Sequence, residues 1–338
     1  MVSLKNILSS NSRISSDLPK GLVAIFVGGT SGIGEYTLKC FAKRTSSPRV
    51  YIIGRSQSAA NRIVSECKAL NPDGTFEFIR ADVGLLKEVD DVCRQIRRKE
   101  ESVNILLMTQ GSLAAKYTTT EDLQLDTSLH YHGRMRFISN LLPQLKNALH
   151  LRRVVSVFGA TNEGAIHMED FQARNLGFIP RRDHVSAMIT LGLEEMARQA
   201  PSITFIHEFP GLVQTQAVDA WPGALGVIVR FVVFVAGRFI CVSQEECAER
   251  HVFLATSSHY PPASGSSDVS GVSAGDEKPA IGTAGATGGG VYSLAWDGEA
   301  GGSKSQEALA KLRVAGMDEM LRKHTEGEFK RITGSLSI

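Results

Sequence analysis

The stretch Val23-Ala-Ile-Phe-Val-Gly28-Gly-Thr-Ser-Gly32-Ile-Gly34 decides the fold. A β-branched apolar run stops at a glycine-dense turn, and a helical pattern follows at once, which reads as strand, turn and helix. Glycines at 28, 32 and 34 let the backbone turn sharply and bring its N–H groups close to a phosphate. Thr30 and Ser31 lie inside the same turn, and the helix that begins near Ile33 adds the positive end of its dipole to the cradle. The spacing Gly-x-x-x-Gly-x-Gly departs from the commoner dinucleotide fingerprint, so its weight comes from the strand before it and the helix after it.

Outward from this turn the chain alternates strand and helix. Residues 49–53, 76–79, 103–107, 153–157 and 202–206 are short apolar runs. Between them Ala60, Ile63, Val64, Cys67 and Leu70, then Val89, Val92, Cys93 and Ile96, recur at helical spacing. Strands separated by helices of this length pair in parallel through right-handed crossovers, so the expected class is α/β, a doubly wound Rossmann-like parallel sheet of about seven strands. Ligands bind such sheets beyond the carboxyl ends of the strands. The residues to inspect are those just after 27, 53, 80, 107, 157 and 207.

The 338 residues read as a single Rossmann-like domain, with 1–20 as an N-terminal extension lacking the apolar stretch of a secretory signal. Net charge of +2 and the absence of a basic run argue against a nucleic-acid partner. The five cysteines are scattered, odd in number and without metal-ligand spacing. They read as reduced thiols in a cytoplasmic setting, and no metal is expected. Residues 212–260 are expected to form a substrate lid. Within it, 222–241 is apolar on nearly every side, interrupted by Arg230 and Arg238. A membrane helix is disfavoured because a central arginine costs a few kcal/mol in lipid. The favoured reading is an apolar lid over a small lipophilic substrate, with contact at a membrane surface as the lesser one. Residues 261–290 carry eight glycines and no aromatic residue, which predicts a mobile loop. Within 291–338, Gly290–Trp296 reads as the closing strand and 305–323 as one terminal amphipathic helix.

In order, these signals resemble the short-chain dehydrogenase/reductase family from about residue 20 to the end. Phe26-Val-Gly-Gly-Thr-Ser-Gly-Ile-Gly34 is similar to its cofactor loop, and Asp82-Val83 to the acidic-apolar pair that the family sets beside the adenine ring. Val103–Gly111 stands where the family has its fourth strand and Asn-Asn-Ala-Gly turn, keeping only Gly111. Pro210-Gly211-Leu-Val213-Gln-Thr215 is similar to the loop that holds the nicotinamide carboxamide. Arg134–Phe137 and Phe205–Gly211 resemble a divergent fungal subgroup associated with secondary-metabolite pathways. Homo-oligomerisation is common in the family, and neither the lid nor the terminal helix identifies an interface. The residues also speak to cofactor choice. No carboxylate follows the second strand until Glu66, whereas Arg55 offers a planar charged fork to a 2′-phosphate, so NADP(H) is expected over NAD(H). A solvated surface arginine is the alternative.

The resemblance fails at every catalytic position. The family's Ser, Tyr, Lys and Asn align with Gly159, His184, Met188 and His130. Three readings stay open. His184 replaces the tyrosine as general acid, with Ser186 or Ser156 giving a second hydrogen bond. Alternatively, the site binds the same ligands but performs a non-redox isomerisation, dehydration or cyclisation, or the protein binds nucleotide without turnover. The first is favoured: an NADP(H)-dependent oxidoreductase acting on a hydrophobic carbonyl or alcohol.

Overall fold

The computed structural model describes residues 2–112, 117–213, 241–266, 270–274 and 277–338. Seven strands form one parallel sheet: β1 Val23–Val27, β2 Arg49–Gly54, β3 Thr75–Arg80, β4 Ile105–Met108, β5 Arg153–Val157, β6 Thr204–Glu208 and β7 Val291–Leu294. Their spatial order is β3-β2-β1-β4-β5-β6-β7. In register, Val27 stands beside Ile53 of β2 and Met108 of β4, while Ser156 of β5 stands beside His207 of β6. The order reverses between β1 and β4, which opens a crevice at their carboxyl ends.

Alternation along the buried strands divides the core. Val23, Ile25 and Val27 face one apolar cluster, and Ala24 and Phe26 face the other. On the second side lie α1 (Leu4–Ser12), α2 (Ile14–Asp17), α3 (Gly32–Arg44), α4 (Gln57–Leu70) and, after α5 to α8, α9 (Gln244–Thr256). The first side holds α5 (Leu86–Lys99), the short α6 (Leu125–Thr127), a π-helical turn over Ser128–His132, α7 (Gly133–Asn147), α8 (Phe178–Gln199), α10 (Ser303–Val314) and α11 (Met317–Thr333).

Three regions differ from the sequence reading. The first twenty residues are not a mere extension: α1 and α2 bury Ile7 and Ile14 against the core, and Asn11 Nδ2 donates to the Glu249 carboxylate at 2.7 Å. The described parts of 261–290 are tied into the fold. Val272 is fully buried, its N–H donates to Thr256 O at 2.7 Å, and the Ala280 N–H donates to His259 O at 2.8 Å. The terminal helix is two helices, because Gly316 adopts φ +67° between α10 and α11, a left-handed conformation that ends helical continuity. The apolar lid segment at 222–241 falls outside the described residues except for Cys241. Among the described residues no helix is long and apolar enough to cross a membrane.

Candidate functional site

A cavity of about 260 Å³ opens at the carboxyl ends of β1, β2 and β4. Its lining brings together Gly28, Thr30, Ser31, Gly32, Ile33, Arg55, Asp82, Val83 and Gly111, which follow β1, β2, β3 and β4 in the sequence and meet at one crevice. The turn that makes it is steric in origin. Gly28 holds φ +84°, and a methyl there would lie 2.7 Å from the Gln110 amide nitrogen. Gly34 packs against the Gly28 carbonyl, with no room for a Cβ. At the start of α3 the first N–H groups have no partner within the helix and stand at the cavity wall. Arg55 is exposed at the rim, and no carboxylate is paired with it among the described residues. Asp82 is held in place by the Gly84 N–H, which donates to its Oδ1 at 3.1 Å. Pro210, Gly211 and Val213 lie past the end of β6, outside this lining; Gly211 packs on Trp296, and Thr215 is outside the described residues.

Gln110 was not singled out by the sequence reading. It lines the cavity, is only 6% exposed, and neither its Oε1 nor its Nε2 has a hydrogen-bond partner among the described residues. A buried carboxamide left unmatched costs free energy unless a ligand or water completes it. With the glycine cradle and the unpaired Arg55, it fits a phosphorylated dinucleotide lying across the crevice.

The three expected catalytic side chains do not meet in this cavity. His184 is fully buried on α8 and both its ring nitrogens are engaged by one loop: Nδ1 accepts from the His167 N–H at 3.0 Å, and Nε2 donates to Phe171 O at 3.1 Å. Burial lowers its pKa, so it is a neutral brace for the 167–171 loop, without a free nitrogen for acid chemistry. Ser156 is fully buried in β5, where its Oγ accepts from Arg134 Nη1 at 2.7 Å. Ser186 is buried with an unpartnered Oγ, and a Cβ on Gly159 would come within 2.5 Å of that oxygen. The hydroxyl of α8 therefore fills the space that a side chain at 159 would need. Met188, at the lysine position, is an apolar core residue.

Arg134 is the cation of this region. Wholly buried, it donates through Nη1 to Val157 O at 2.9 Å and through Nη2 to Gln110 O at 2.7 Å, tying the ends of β4 and β5 to α7. Burial without a carboxylate partner pushes its pKa down to about 9. Four residues earlier, in the π-helical turn, His130 packs behind Gly111 of the cavity lining: its Nε2 occupies the space that a Cβ on Gly111 would take. Its Nδ1 is 3.0 Å from Asp126 Oδ1, off the straight hydrogen-bond line but close enough for strong attraction. Burial would raise the Asp126 pKa, yet the close approach of His130, with the charge of Arg181, outweighs it and holds the carboxyl below its ordinary value. The Phe158 ring lies 4.2 Å from the imidazole, centroid to centroid.

A larger cavity, about 420 Å³, lies between α7, α8 and α11, walled by Met135, Leu142, Leu191, Leu321 and Phe329. Among the described residues no unpartnered buried polar atom lines it, so size alone does not make it the reactive centre.

Comparison with known proteins agrees with this geometry. The family model described as short chain dehydrogenase matches residues 22–157. Oxidoreductase AN1596 of Emericella nidulans is 38% identical over 330 residues, covering 96% of this chain and 97% of that one. Oxidoreductase andH of Emericella variicolor is 32% identical over 344 residues, covering 99% of each. Among solved structures, L-sorbose reductase from Gluconobacter frateurii, complexed with NADPH and L-sorbose, shares the fold with a TM-score of 0.54 at 18% identity, over 70% of this chain and 90% of that one.

Proposed function

The chain belongs to the short-chain dehydrogenases, an oxidoreductase family, and from that premise we propose that it uses NADP(H) to interconvert an apolar carbonyl compound and its alcohol. One observation carries the cofactor reading: the crevice at the β1–β4 reversal joins a side-chain-free phosphate cradle, Arg55 and the unmatched carboxamide of Gln110 in one cavity. Gly28, Gly32 and the first turn of α3 would hold the pyrophosphate, Asp82 and Val83 the adenosine end, and Arg55 the 2′-phosphate. The bound nicotinamide would supply the hydrogen and electron pair. The chain itself orients the reacting carbonyl, excludes water and handles the proton on oxygen. L-sorbose reductase, with the same fold, is complexed with NADPH. The apolar substrate class is read from the sequence of 222–241.

Calorimetric titration tests the cofactor. Wild-type protein should bind NADPH more tightly than NADH. Arg55→Glu should weaken NADPH by about 10- to 100-fold, the equivalent of one charge-assisted hydrogen bond lost, while leaving NADH nearly unchanged. Equal weakening of both dinucleotides, or of neither, would reject the role given to Arg55.

A further inference from the structure

With His184 engaged by the backbone, the proton required at the substrate oxygen needs another source. We propose that His130, oriented by Asp126, is that source, exchanging its Nε2 proton with the carbonyl or alcohol oxygen at the Gln110–Gly111 end of the cavity. This rests on the dinucleotide reading above and adds the identity of the acid.

The argument is geometric. His130 is 4% exposed, and its Nε2 lies directly behind Gly111, a lining residue of the cavity whose missing side chain leaves room for the ring. The ring is fixed from two other sides, by the Asp126 carboxylate at Nδ1 and by Phe158 across its face. An imidazole held at one nitrogen by a carboxylate presents the other for proton transfer, and imidazole is the side chain whose ordinary pKa lies nearest neutrality. The π-helical turn over Ser128–His132 carries it, and insertions of this kind collect at functional positions because they swing one residue off the helical register. A second observation marks the same end of the cavity: the Gln110 carboxamide, next to Gly111, is buried with neither polar atom matched. The charged groups around the ring are Asp126 on its own segment, Arg181 of α8, whose Nε is 4.0 Å from Asp126 Oδ2, and Arg134 of α7, which ties Leu129 O and Gln110 O. The strand ends facing it contribute the uncharged Gln110, Gly111 and Phe158.

The step balances. A carbonyl that gains one hydrogen and an electron pair at carbon from a reduced dinucleotide carries its negative charge on oxygen. Protonated His130 closes an O–H bond there while its own Nε2–H bond breaks, the electron pair of that bond staying on nitrogen. Asp126 remains ionised and stabilises the imidazolium before transfer. Solvent restores the proton.

The test uses histidine-labelled full-length protein followed by NMR, with His130→Asn assigning the resonance. Oxidised and reduced NADP differ by the positive charge on the nicotinamide ring. A ring facing His130 should therefore titrate His130 at a midpoint lower by about half a unit or more in the NADP⁺ complex than in the NADPH complex, as expected for two charges about 5 Å apart even in a watery medium. Equal midpoints in two complexes that both give binding heat would overturn the proposal while leaving the cofactor reading intact. No heat with either dinucleotide would remove the cofactor reading first. On any apolar ketone or aldehyde that oxidises NADPH, His130→Asn should lower kcat about 100-fold or more with dinucleotide affinity within about twofold of wild type; unchanged kcat would equally sink it.

Discussion

At the scale of single residues, Arg134 shows how a buried charge is put to structural use. It has no acid partner among the described residues, and three of its donors end on Ser156 Oγ, Val157 O and Gln110 O. A lysine would keep the charge but could not span these acceptors from one fixed plane. Arg134→Lys should therefore destabilise the fold by about 2–4 kcal/mol, as two or more buried acceptors go unmatched. It should also weaken NADPH binding, because the Gln110 carbonyl loses its tether. Urea unfolding and calorimetry measure the two effects, and a variant with wild-type values in both would show that Arg134 organises nothing. The residue lay in plain view in the sequence, but a charged residue four positions after a histidine reads as solvated surface unless its fold neighbours are known. The phosphate turn was legible because all its parts fall within residues 23–34, whose strand-turn-helix order is local. The Asp126–His130 pair meets Gly111 and Phe158 only through the fold, and alignment could place His130 at the asparagine position without showing that its ring packs behind Gly111. His184 misled for the converse reason: the alignment put it at the tyrosine position, and only the 167–171 loop reveals that both nitrogens are engaged.

At the scale of elements, the seven strands were readable because buried parallel strands are continuous apolar runs, which need no partner to be seen. What joins the helices to one another was not. Asp90 of α5 receives Arg136 through Nε at 2.6 Å and Nη2 at 2.8 Å, and Asn140 Nδ2 at 2.7 Å. Arg136 and Asn140 also hold the chain terminus, through Ser335 O and the Ile338 N–H. The Arg136 guanidinium lies 5.0 Å from the centre of the Phe329 ring. One carboxylate thus clamps α5, α7 and the segment after α11. Asp90→Ala should cost about 3–5 kcal/mol, since it strands a wholly buried guanidinium. Replacing both partners, Asp90→Leu with Arg136→Met, should recover much of that loss. Equal destabilisation in the single and double variants would show that packing volume, rather than the stranded charge, sets the cost. The break at Gly316 was missed because Ala315-Gly316 leaves helical periodicity intact on either side, and a single glycine marks a cap only when its φ is known. Arg153 escaped for a related reason. Fully buried at the start of β5, it donates to Tyr260 O at 2.5 Å and to Ser257 O and Ser270 O at 2.8 Å, which fastens a glycine-rich stretch that composition alone marks as loose.

At the scale of the molecule, buried histidines and one carboxylate fix how stability follows pH. His132 is wholly buried beside His324, and burial drives its pKa down to about 3 from an ordinary 6.5. The unfolded chain then takes up a proton that the folded chain refuses, so stability is lost as pH falls from 6.5 towards 3, by ~4 kcal/mol over the whole range. Glu163 adds to the same limb. Burial would raise its pKa, but His207, Ser293 and Ser305 hold it down to about 2; its contribution is complete above pH 4.5 and fades as pH falls through the folded value, amounting to ~3 kcal/mol. His251 has the opposite sign. Its Nδ1 donates to Cys247 O at 2.7 Å and its Nε2 to Glu208 Oε2 at 3.2 Å, an arrangement that requires the imidazolium. Burial opposes that charge, but Glu208 raises the pKa well above 6.5. This contribution is complete below pH 6.5 and drains away as pH climbs through the raised value, loosening α9 from the end of β6. Thermal melts from pH 3 to pH 10 should therefore peak near pH 6.5–7. His132→Leu should flatten the fall between pH 6.5 and 3, Glu163→Gln the portion below pH 4.5, and His251→Gln the alkaline decline alone. The alkaline effect is separable from the acid ones by its sign, and on the acid limb His132 acts from pH 6.5 downward whereas Glu163 acts only below pH 4.5. An acid limb unchanged in His132→Leu would mean that His132 takes up its proton in the folded chain as readily as in the unfolded one.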